Sequence, residues 1–195
     1  LTKNSRLHSE IEHYLWGNHL KHLFRQGWLD HGIRVSDCES VADHSYGVAL
    51  LATLLINTVK PQLNPLKVLQ LALIHDLAEA SIGDITPKEK IKYSNKIQEE
   101  KSFFHNTLPK LSHQFFDPTG LFEDYQQQLT PESQYIHFID KFEMRLQAVI
   151  YQQNYADTDL HEFWQPNTFW KNYPLLSFSK ELKKMLKELG KSFKF

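Results

Sequence analysis

The chain has 195 residues, of which 41% are hydrophobic and 13% aromatic, so we expect one domain with a sizeable core, or one domain with an appended piece. Its 22 Lys and Arg residues against 23 Asp and Glu residues argue against a protein that binds nucleic-acid polymers through their backbone. A single cysteine, Cys38, excludes a disulfide within the chain and a multi-cysteine zinc site.

No apolar run approaches the roughly 20 residues of a membrane span, and the polar N-terminus lacks a signal-peptide core. We therefore expect a cytoplasmic protein without a membrane partner, although a start at Leu1 leaves open a leader that has been removed.

Apolar residues follow a helical spacing through almost the whole chain. This spacing predicts helices over residues 9–28, 41–59, 65–81, 88–108, 130–153 and 179–190. Thr130 followed by Pro131 is a typical helix start. The prolines and glycine at 109, 118 and 120 predict an irregular segment over 109–130. The expectation is a single all-α domain over residues 1–195 with about six to eight helices, made of a core at about 20–150 and a helical extension at about 154–195.

The stretch LIHDLAEA, residues 73–80, places three ionisable residues in the most apolar predicted helix. Adjacent helical residues point about 100° apart, so His75 and Asp76 can lean toward one point beside the helix. An imidazole nitrogen and a carboxylate oxygen side by side are suitable neighbouring ligands for a divalent metal. A cation would also remove the cost of a buried carboxylate. The alternative is a surface His–Asp pair on the polar edge of the helix.

Two further residues occupy similar positions. His44 lies in ESVADHSYG and Asp140 in HFIDKFEMR, each within an apolar helical pattern. Two imidazoles and two carboxylates suit Mn, Co, Fe or Zn better than calcium, which prefers oxygen ligands. Four protein ligands on a five- or six-coordinate ion leave open positions, as a catalytic site requires.

The order His44, His75-Asp76, Asp140 resembles the signature of the HD-domain metal-dependent phosphohydrolases. HDLAEASIGDITP at 75–87 is similar to the 5'-deoxynucleotidase branch, which includes the YfbR-like and the eukaryotic HD-domain-containing proteins. Three other segments also resemble that branch: RQGW at 25–28, ESVADHS at 39–45 and IDKFEMRLQA at 139–148. The resemblance covers about residues 20–150 and implies a single HD domain.

The resemblance also implies roles for individual residues. One divalent ion would be held by His44, His75, Asp76 and Asp140. Glu79, one turn after His75 on the same helix face, would be the general base toward a water. Asp84 would orient the nucleophile or meet the sugar of the substrate.

Substrate contacts are implied for Arg25, with the phosphate, and Trp28, with the base or sugar. The simpler alternatives are a surface salt bridge for Arg25 and an ordinary core position for Trp28. Arg34 would be a second phosphate contact or merely a loop charge, since the loop 29–40 is longer than the resemblance leads us to expect. Lys141 and Glu143 are interpreted as supporting groups for the site.

The implied activity is hydrolysis of (deoxy)nucleoside 5'-monophosphates by a metal-dependent phosphomonoesterase, with a homodimer possible. Histidines between the HD pair and Asp140 are isolated, which favours one metal over two. The alternatives are hydrolysis of another phosphorylated small molecule, such as a cyclic nucleotide, a nucleoside triphosphate or guanosine tetraphosphate, and a non-catalytic metal-bound nucleotide sensor.

Overall fold

The computed structural model describes residues 3–58, 62–86, 95–106, 116–155 and 157–160, together with residues 163, 184, 185 and 188. In chain order the helices are α1 (Lys3–His19), α2 (Gln26–Asp30), α3 (Val41–Leu55) continued by a 3₁₀ turn (Ile56–Thr58), α4 (Pro65–Ile74), α5 (Glu79–Ile82), α6 (Lys96–Asn106), α7 (Pro118–Gln127) and α8 (Pro131–Asn154). Within these residues the regular structure is helical, with isolated bridge pairs such as Phe24–Ser40 in place of strands. The all-α prediction is confirmed.

Helix starts follow the local sequence. Thr130 accepts a hydrogen bond from the Ser133 backbone and Pro131 occupies the first turn of α8, as predicted. Asn64 and Pro65 play the same parts for α4. Ser40 and Asp43 form a capping box at the start of α3, which satisfies backbone N–H groups that have no partner inside the helix.

The predicted continuous helix over 9–28 is wrong. Helix α1 ends at His19, and the chain then runs beside the start of α3, where Val41 N–H donates to Leu23 O at 2.8 Å and Arg25 N–H donates to Glu39 O at 3.1 Å. These tertiary hydrogen bonds replace the helical ones over this stretch. They fix the backbone of Arg25 next to the segment that carries His44.

The predicted helix over 65–81 is also interrupted. Helix α4 ends at Ile74, and residues 75–78 form a tighter turn before the short α5. His75 Nδ1 lies 2.8 Å from the carbonyl oxygen of Ala72, which is the acceptor that a continuing α-helix would offer to Asp76 N–H. The backbone bonds that follow span three residues, as in Glu79 N–H to Asp76 O at 3.0 Å, and the helix therefore tightens at the HD pair.

The irregular segment predicted over 109–130 contains a helix in its second half. Pro118 occupies the first turn of α7, where its missing N–H costs nothing, and Asp117 accepts from Gly120 N–H at 3.2 Å. The proline begins a helix here and does not break one. Helix α7 then carries Tyr125 toward the interior.

The main apolar core lies between α3, α4, α7 and α8. A second, smaller cluster surrounds Trp28 and includes Cys38, Ala148 and Tyr151. Burial raises the pKa of the Cys38 thiol to about 11, so it carries little reactive thiolate near neutral pH.

Several predicted features lie outside the described residues. These are most of the aromatic segment 154–178, the body of the predicted helix 179–190, and the isolated His113. No helix within the described ranges combines the length and apolarity needed to cross a membrane.

Candidate functional site

Three buried side chains from separate parts of the chain meet in the interior. His44 projects from α3, His75 follows the last residue of α4, and Asp140 lies on α8. One ligand atom from each lies within 4.8 Å of the other two. His44 Nε2 is 3.3 Å from Asp140 Oδ1. Long-range packing thus gathers residues that the sequence only places on inward helix faces.

Asp76 lies beside this cluster, on the tight turn. Its Oδ2 lies 3.3 Å from His75 Nε2 and 3.8 Å from His44 Nε2. Burial would raise the pKa of Asp76, but His75, Arg25 and His44 outweigh it and hold this pKa well below its usual range. Asp76 is therefore a carboxylate, and its charge is directed at both imidazoles.

Both histidines are held by their Nδ1 atoms. His44 Nδ1 lies 2.6 Å from Glu143 Oε2, and His75 Nδ1 lies 2.8 Å from Ala72 O. Such partners favour the tautomer with the proton on Nδ1, which turns the Nε2 lone pair toward the cluster. Among the described residues, both Nε2 atoms are buried without a hydrogen-bond partner of good geometry.

A divalent transition ion fits this donor set. Two ligand atoms that each lie about 2.1 Å from an ion are roughly 3.0–3.4 Å apart when they subtend 90–110° at it. Two of the distances above are 3.3 Å and fall in this range, whereas the distance from His44 Nε2 to Asp76 Oδ2 is longer, at 3.8 Å. Buried Nε2 atoms without partners are costly, and metal coordination would satisfy them. Burial and Arg25 lower the pKa of His44, but Asp140 and Glu143 raise it to about 10, so the same pocket attracts positive charge.

Glu79 is buried, with 5% of its surface exposed. Because the turn is tightened, the Glu79 backbone N–H donates to the Asp76 carbonyl oxygen three residues earlier. Side chains three residues apart are eclipsed in such a turn. The charge of Glu79 also contributes to the raised pKa of Arg25. The expectation that Glu79 follows His75 on one face of a continuous α-helix is replaced by this alignment with Asp76.

Arg25 and Asp84 lie beside the cluster. Arg25 NH1 donates to Asp76 Oδ2 at 3.3 Å and lies 4.0 Å from Asp84 Oδ1. Asp84 Oδ2 accepts from the backbone N–H of Gln26 at 2.6 Å, and so connects the residues after α5 to the start of α2. Burial would lower the pKa of Arg25, but Asp76 and Asp84 raise it well above its ordinary value. The structure thus gives the cluster a fixed, permanently charged guanidinium.

Two groups support Asp140, and the sequence analysis missed one of them. Tyr125 on α7 donates its hydroxyl to Asp140 Oδ2 at 3.0 Å, and Lys141 Nζ lies 2.9 Å from the same oxygen. Both leave Oδ1 facing His44. Tyr125 was missed because its segment was interpreted as irregular, whereas Lys141 and Glu143 contact the site residues as the sequence interpretation expected.

Trp28 lies in the core. It is 1% exposed, packs against Tyr151 and Phe163, and donates its indole N–H to Glu39 Oε1 at 2.7 Å. These contacts favour the core alternative for Trp28 over contact with a base or sugar. Burial, followed by the charge of Glu143, raises the pKa of Glu39 to about 7.

Arg34 lies on the surface, with 74% of its side chain exposed. It donates to Asp37 at 2.6 Å and to the Tyr155 hydroxyl at 3.1 Å. Asp37 belongs to the loop 29–40 itself, and Tyr155 follows the last residue of α8. This placement favours the alternative of a loop charge over a second phosphate contact.

Several known proteins are similar to this chain in sequence. A fission yeast protein, 5'-deoxynucleotidase hdd1 of Schizosaccharomyces pombe, is 38% identical over 74% of this chain and 73% of its own length. 5'-deoxynucleotidase HDDC2 of Dictyostelium discoideum is 36% identical over 69% and 73%. 5'-deoxynucleotidase YGK1 of Saccharomyces cerevisiae is 35% identical over 74% and 67%.

Solved structures share the fold. The PH0347 protein of Pyrococcus horikoshii OT3 superimposes with a TM-score of 0.75 at 33% identity, covering 92% of this chain and 98% of that one. A predicted metal-dependent phosphohydrolase from Magnetospirillum magnetotacticum MS-1 superimposes with a TM-score of 0.68 at 20% identity, covering 95% of this chain and 94% of that one. At this identity the likeness supports the fold alone. Residues 17–177 match the HD domain, and the chain belongs to the HD domain family.

Proposed function

We propose that this protein is a metal-dependent phosphomonoesterase that hydrolyses (deoxy)nucleoside 5'-monophosphates to nucleoside and phosphate. The observation that carries the proposal is the pair of buried Nε2 atoms of His44 and His75, which face two carboxylates beside a buried arginine. A purely structural role would not require this arrangement of imidazoles, carboxylates and arginine. The 5'-deoxynucleotidase names of the relatives favour the deoxynucleotide form of the substrate.

The proposed ligands of one divalent ion, Mn, Co, Fe or Zn, are His44, His75, Asp76 and Asp140. When bound, such an ion polarises a phosphoryl oxygen and lowers the pKa of a water. Glu143 and Ala72 O hold the two imidazoles, and Tyr125 holds Asp140, so that the ligand atoms keep their orientation.

Glu79 is the proposed general base. Its carboxylate is buried beside the ligand turn, where it can accept a proton from the water that attacks phosphorus. The new P–O bond forms as the bond to the nucleoside 5'-oxygen breaks, and the leaving oxygen takes up a proton. In-line attack of this kind depends on position and charge more than on covalent chemistry by the protein.

Arg25 is the proposed phosphate contact. Asp76 and Asp84 hold its guanidinium at the edge of the cluster, and the remaining N–H donors of the fork can pair with phosphoryl oxygens. Asp84 then positions Arg25 and anchors the start of α2. We propose that Trp28 has a structural role, because it packs in the core and donates to Glu39. We propose no substrate role for Arg34, because it is exposed and paired with Asp37 and Tyr155.

A phosphate-release panel tests the proposal. The full chain, depleted of metal and reloaded with Mn²⁺ or Co²⁺, is assayed on deoxynucleoside and ribonucleoside 5'-monophosphates, 3'-monophosphates, nucleoside triphosphates, cyclic nucleotides and guanosine tetraphosphate. We expect release from 5'-monophosphates only, abolished in the metal-free protein and in His75→Gln. Release mainly from another class of compound would favour a different hydrolase. Tight nucleotide binding with no release from any compound would favour a sensor.

Two further expectations belong with this proposal. A cytoplasmic location suits an enzyme of nucleotide metabolism, and exposed apolar side chains such as Tyr46, Leu54 and Leu73 are compatible with a homodimer. Light scattering during size-exclusion chromatography would show a mass near 46 kDa for a dimer of the 23.0 kDa chain.

A further inference from the structure

Gly47 faces the group that holds His44. It follows His44 by three residues on α3, and residues at this spacing share a helix face. A β-carbon at position 47 would lie 2.5 Å from Glu143 Oε1, 3.1 Å from Cδ and 3.3 Å from Cγ. The end of the Glu143 side chain therefore fills the space that any other residue at position 47 would need.

That same carboxylate orients a proposed metal ligand. While Oε1 of Glu143 lies against Gly47, Oε2 lies 2.6 Å from His44 Nδ1. The His44 side chain is fully buried and that of Glu143 is 12% exposed, so water cannot readily replace this contact. Displacement of Glu143 would leave the imidazole without the partner that turns Nε2 toward Asp140.

The backbone does not explain a glycine at this position. The described glycines with positive φ are Gly32 and Gly83, whereas Gly47 lies inside α3. Glycine within a helix is less stable than alanine because it loses more conformational freedom on folding. The space for Glu143 is the feature of Gly47 that offsets this disadvantage.

We propose that Gly47 is a positioning residue for the metal centre. Its lack of a side chain leaves room for Glu143, Glu143 orients His44, and this orientation strengthens the binding of a divalent cation. The inference rests on the proposed function, because it takes His44 as a ligand. Since the contacted atoms are the far end of a flexible side chain, Gly47→Ala preserves the fold and displaces Glu143. Losses of outer-shell partners of metal ligands typically weaken metal affinity by about 10–100-fold.

A double-mutant cycle tests this in the full chain. Gly47→Ala, Glu143→Ala and the double variant are titrated with Co²⁺, and melting of each metal-free protein is recorded. We expect each single change to weaken Co²⁺ binding by about 10–100-fold and the double variant to bind no more weakly than Glu143→Ala. In the Glu143→Ala background, Gly47→Ala should raise the melting temperature by about 2 °C. Wild-type affinity in Gly47→Ala, or losses that multiply in the double variant, would overturn the proposal.

Glu143→Gln is the matched control because glutamine keeps the length of the side chain. Gly47→Ala should still weaken Co²⁺ binding in that background. Nitrogen-15 shifts of the metal-free protein should show Nδ1 of His44 protonated and hydrogen-bonded to Glu143 in the unchanged chain and a changed Nδ1 shift in Gly47→Ala. If Co²⁺ binds and the cycle behaves as expected but no nucleotide releases phosphate, the proposed function fails and the role of Gly47 stands. If the unchanged chain binds no Co²⁺, the role of Gly47 fails.

Discussion

Arg25 and Asp76 share an ion pair in which NH1 lies 3.3 Å from Oδ2, and this same oxygen lies 3.3 Å from His75 Nε2. One carboxylate oxygen therefore faces both the guanidinium and a proposed ligand imidazole. The proposed phosphate contact and the proposed metal centre are adjacent in space, although Arg25 precedes α2 and Asp76 follows α4. A phosphate bound by one would reach the other.

Replacing Arg25 by lysine should raise KM for a deoxynucleoside monophosphate by at least about tenfold, because lysine keeps the charge but loses the paired donors of the fork. Arg25→Met should raise KM further, because it removes the charge as well, and should also lower kcat. Steady-state kinetics at saturating metal measure both effects. Unchanged kcat/KM in Arg25→Met would remove this residue from substrate binding.

The matched control for Arg25 is Arg34→Met, which removes an exposed guanidinium paired with Asp37 and Tyr155. We expect its kcat/KM to stay within about twofold of wild type, since surface ion pairs contribute little. A tenfold rise in KM for Arg34→Met would instead restore the second phosphate contact that the sequence suggested.

Glu79→Gln should reduce kcat by about 10²–10⁴-fold, the usual contribution of a general base, because the amide keeps the shape and loses the basic oxygen. Affinity for Co²⁺ should change less than about threefold, since Glu79 is outside the proposed ligand set. Single-turnover phosphate release and Co²⁺ titration measure the two quantities. Glu99→Gln, on the exposed side of α6, is the control, and wild-type kcat in Glu79→Gln would exclude Glu79 as the base.

Trp28→Phe should destabilise the protein by about 1–3 kcal/mol, because the partly buried Glu39 carboxyl loses the indole donor and a polar group left without its partner away from water is costly. KM should stay within about twofold if Trp28 is a core residue. Urea unfolding and nucleotide kinetics give both values. Trp16→Phe, at a partly exposed position on α1, is the control; a large rise in KM without loss of stability would instead favour a substrate contact.

His137 should make stability depend on pH. Burial lowers its pKa to about 4, below the value near 6.5 of an unfolded chain, and its ring stacks on Tyr125. Between these two pH values the unfolded state binds more protons than the folded state. The contribution of neutral His137 to the free energy of unfolding is therefore fully present above pH 6.5 and is lost as the pH falls toward 4. The loss amounts to at most about 3 kcal/mol.

His137→Gln should flatten that part of the profile. Urea midpoints of the metal-free protein at pH 4.5, 5.5 and 7 measure the slope. His105→Gln, a half-exposed position on α6, should leave the slope unchanged. Equal slopes for wild type and His137→Gln would contradict the assignment.

Much of the candidate site is predictable because ligand-type residues interrupt otherwise apolar helical patterns. His44, His75 and Asp140 stand out in this way, and the structure brings them together. A periodic pattern shows which face of a helix points inward, but it does not show which helices meet. Tyr125 was missed because its segment was interpreted as irregular, and its importance also depends on α7 packing beside α8, which no periodic pattern shows.

The two wrong helix predictions have a related cause. The stretch after His19 and the turn at His75 use hydrogen bonds to distant backbone or to a side chain in place of helical ones. Helix propensity is too weak to exclude such replacements. The role of Trp28 was equally open, because an aromatic residue beside Arg25 has the same appearance in sequence whether it meets a ligand or fills a core.

The ligand cluster draws on α3, the end of α4 and α8, so its geometry exists only after segments far apart in the chain have packed. Contacts of long sequence separation tend to form late and slowly. A divalent cation added during refolding should therefore be captured in the last kinetic phase. Uptake of Co²⁺, followed by its visible absorption, would time the completion of the tertiary structure without any added label.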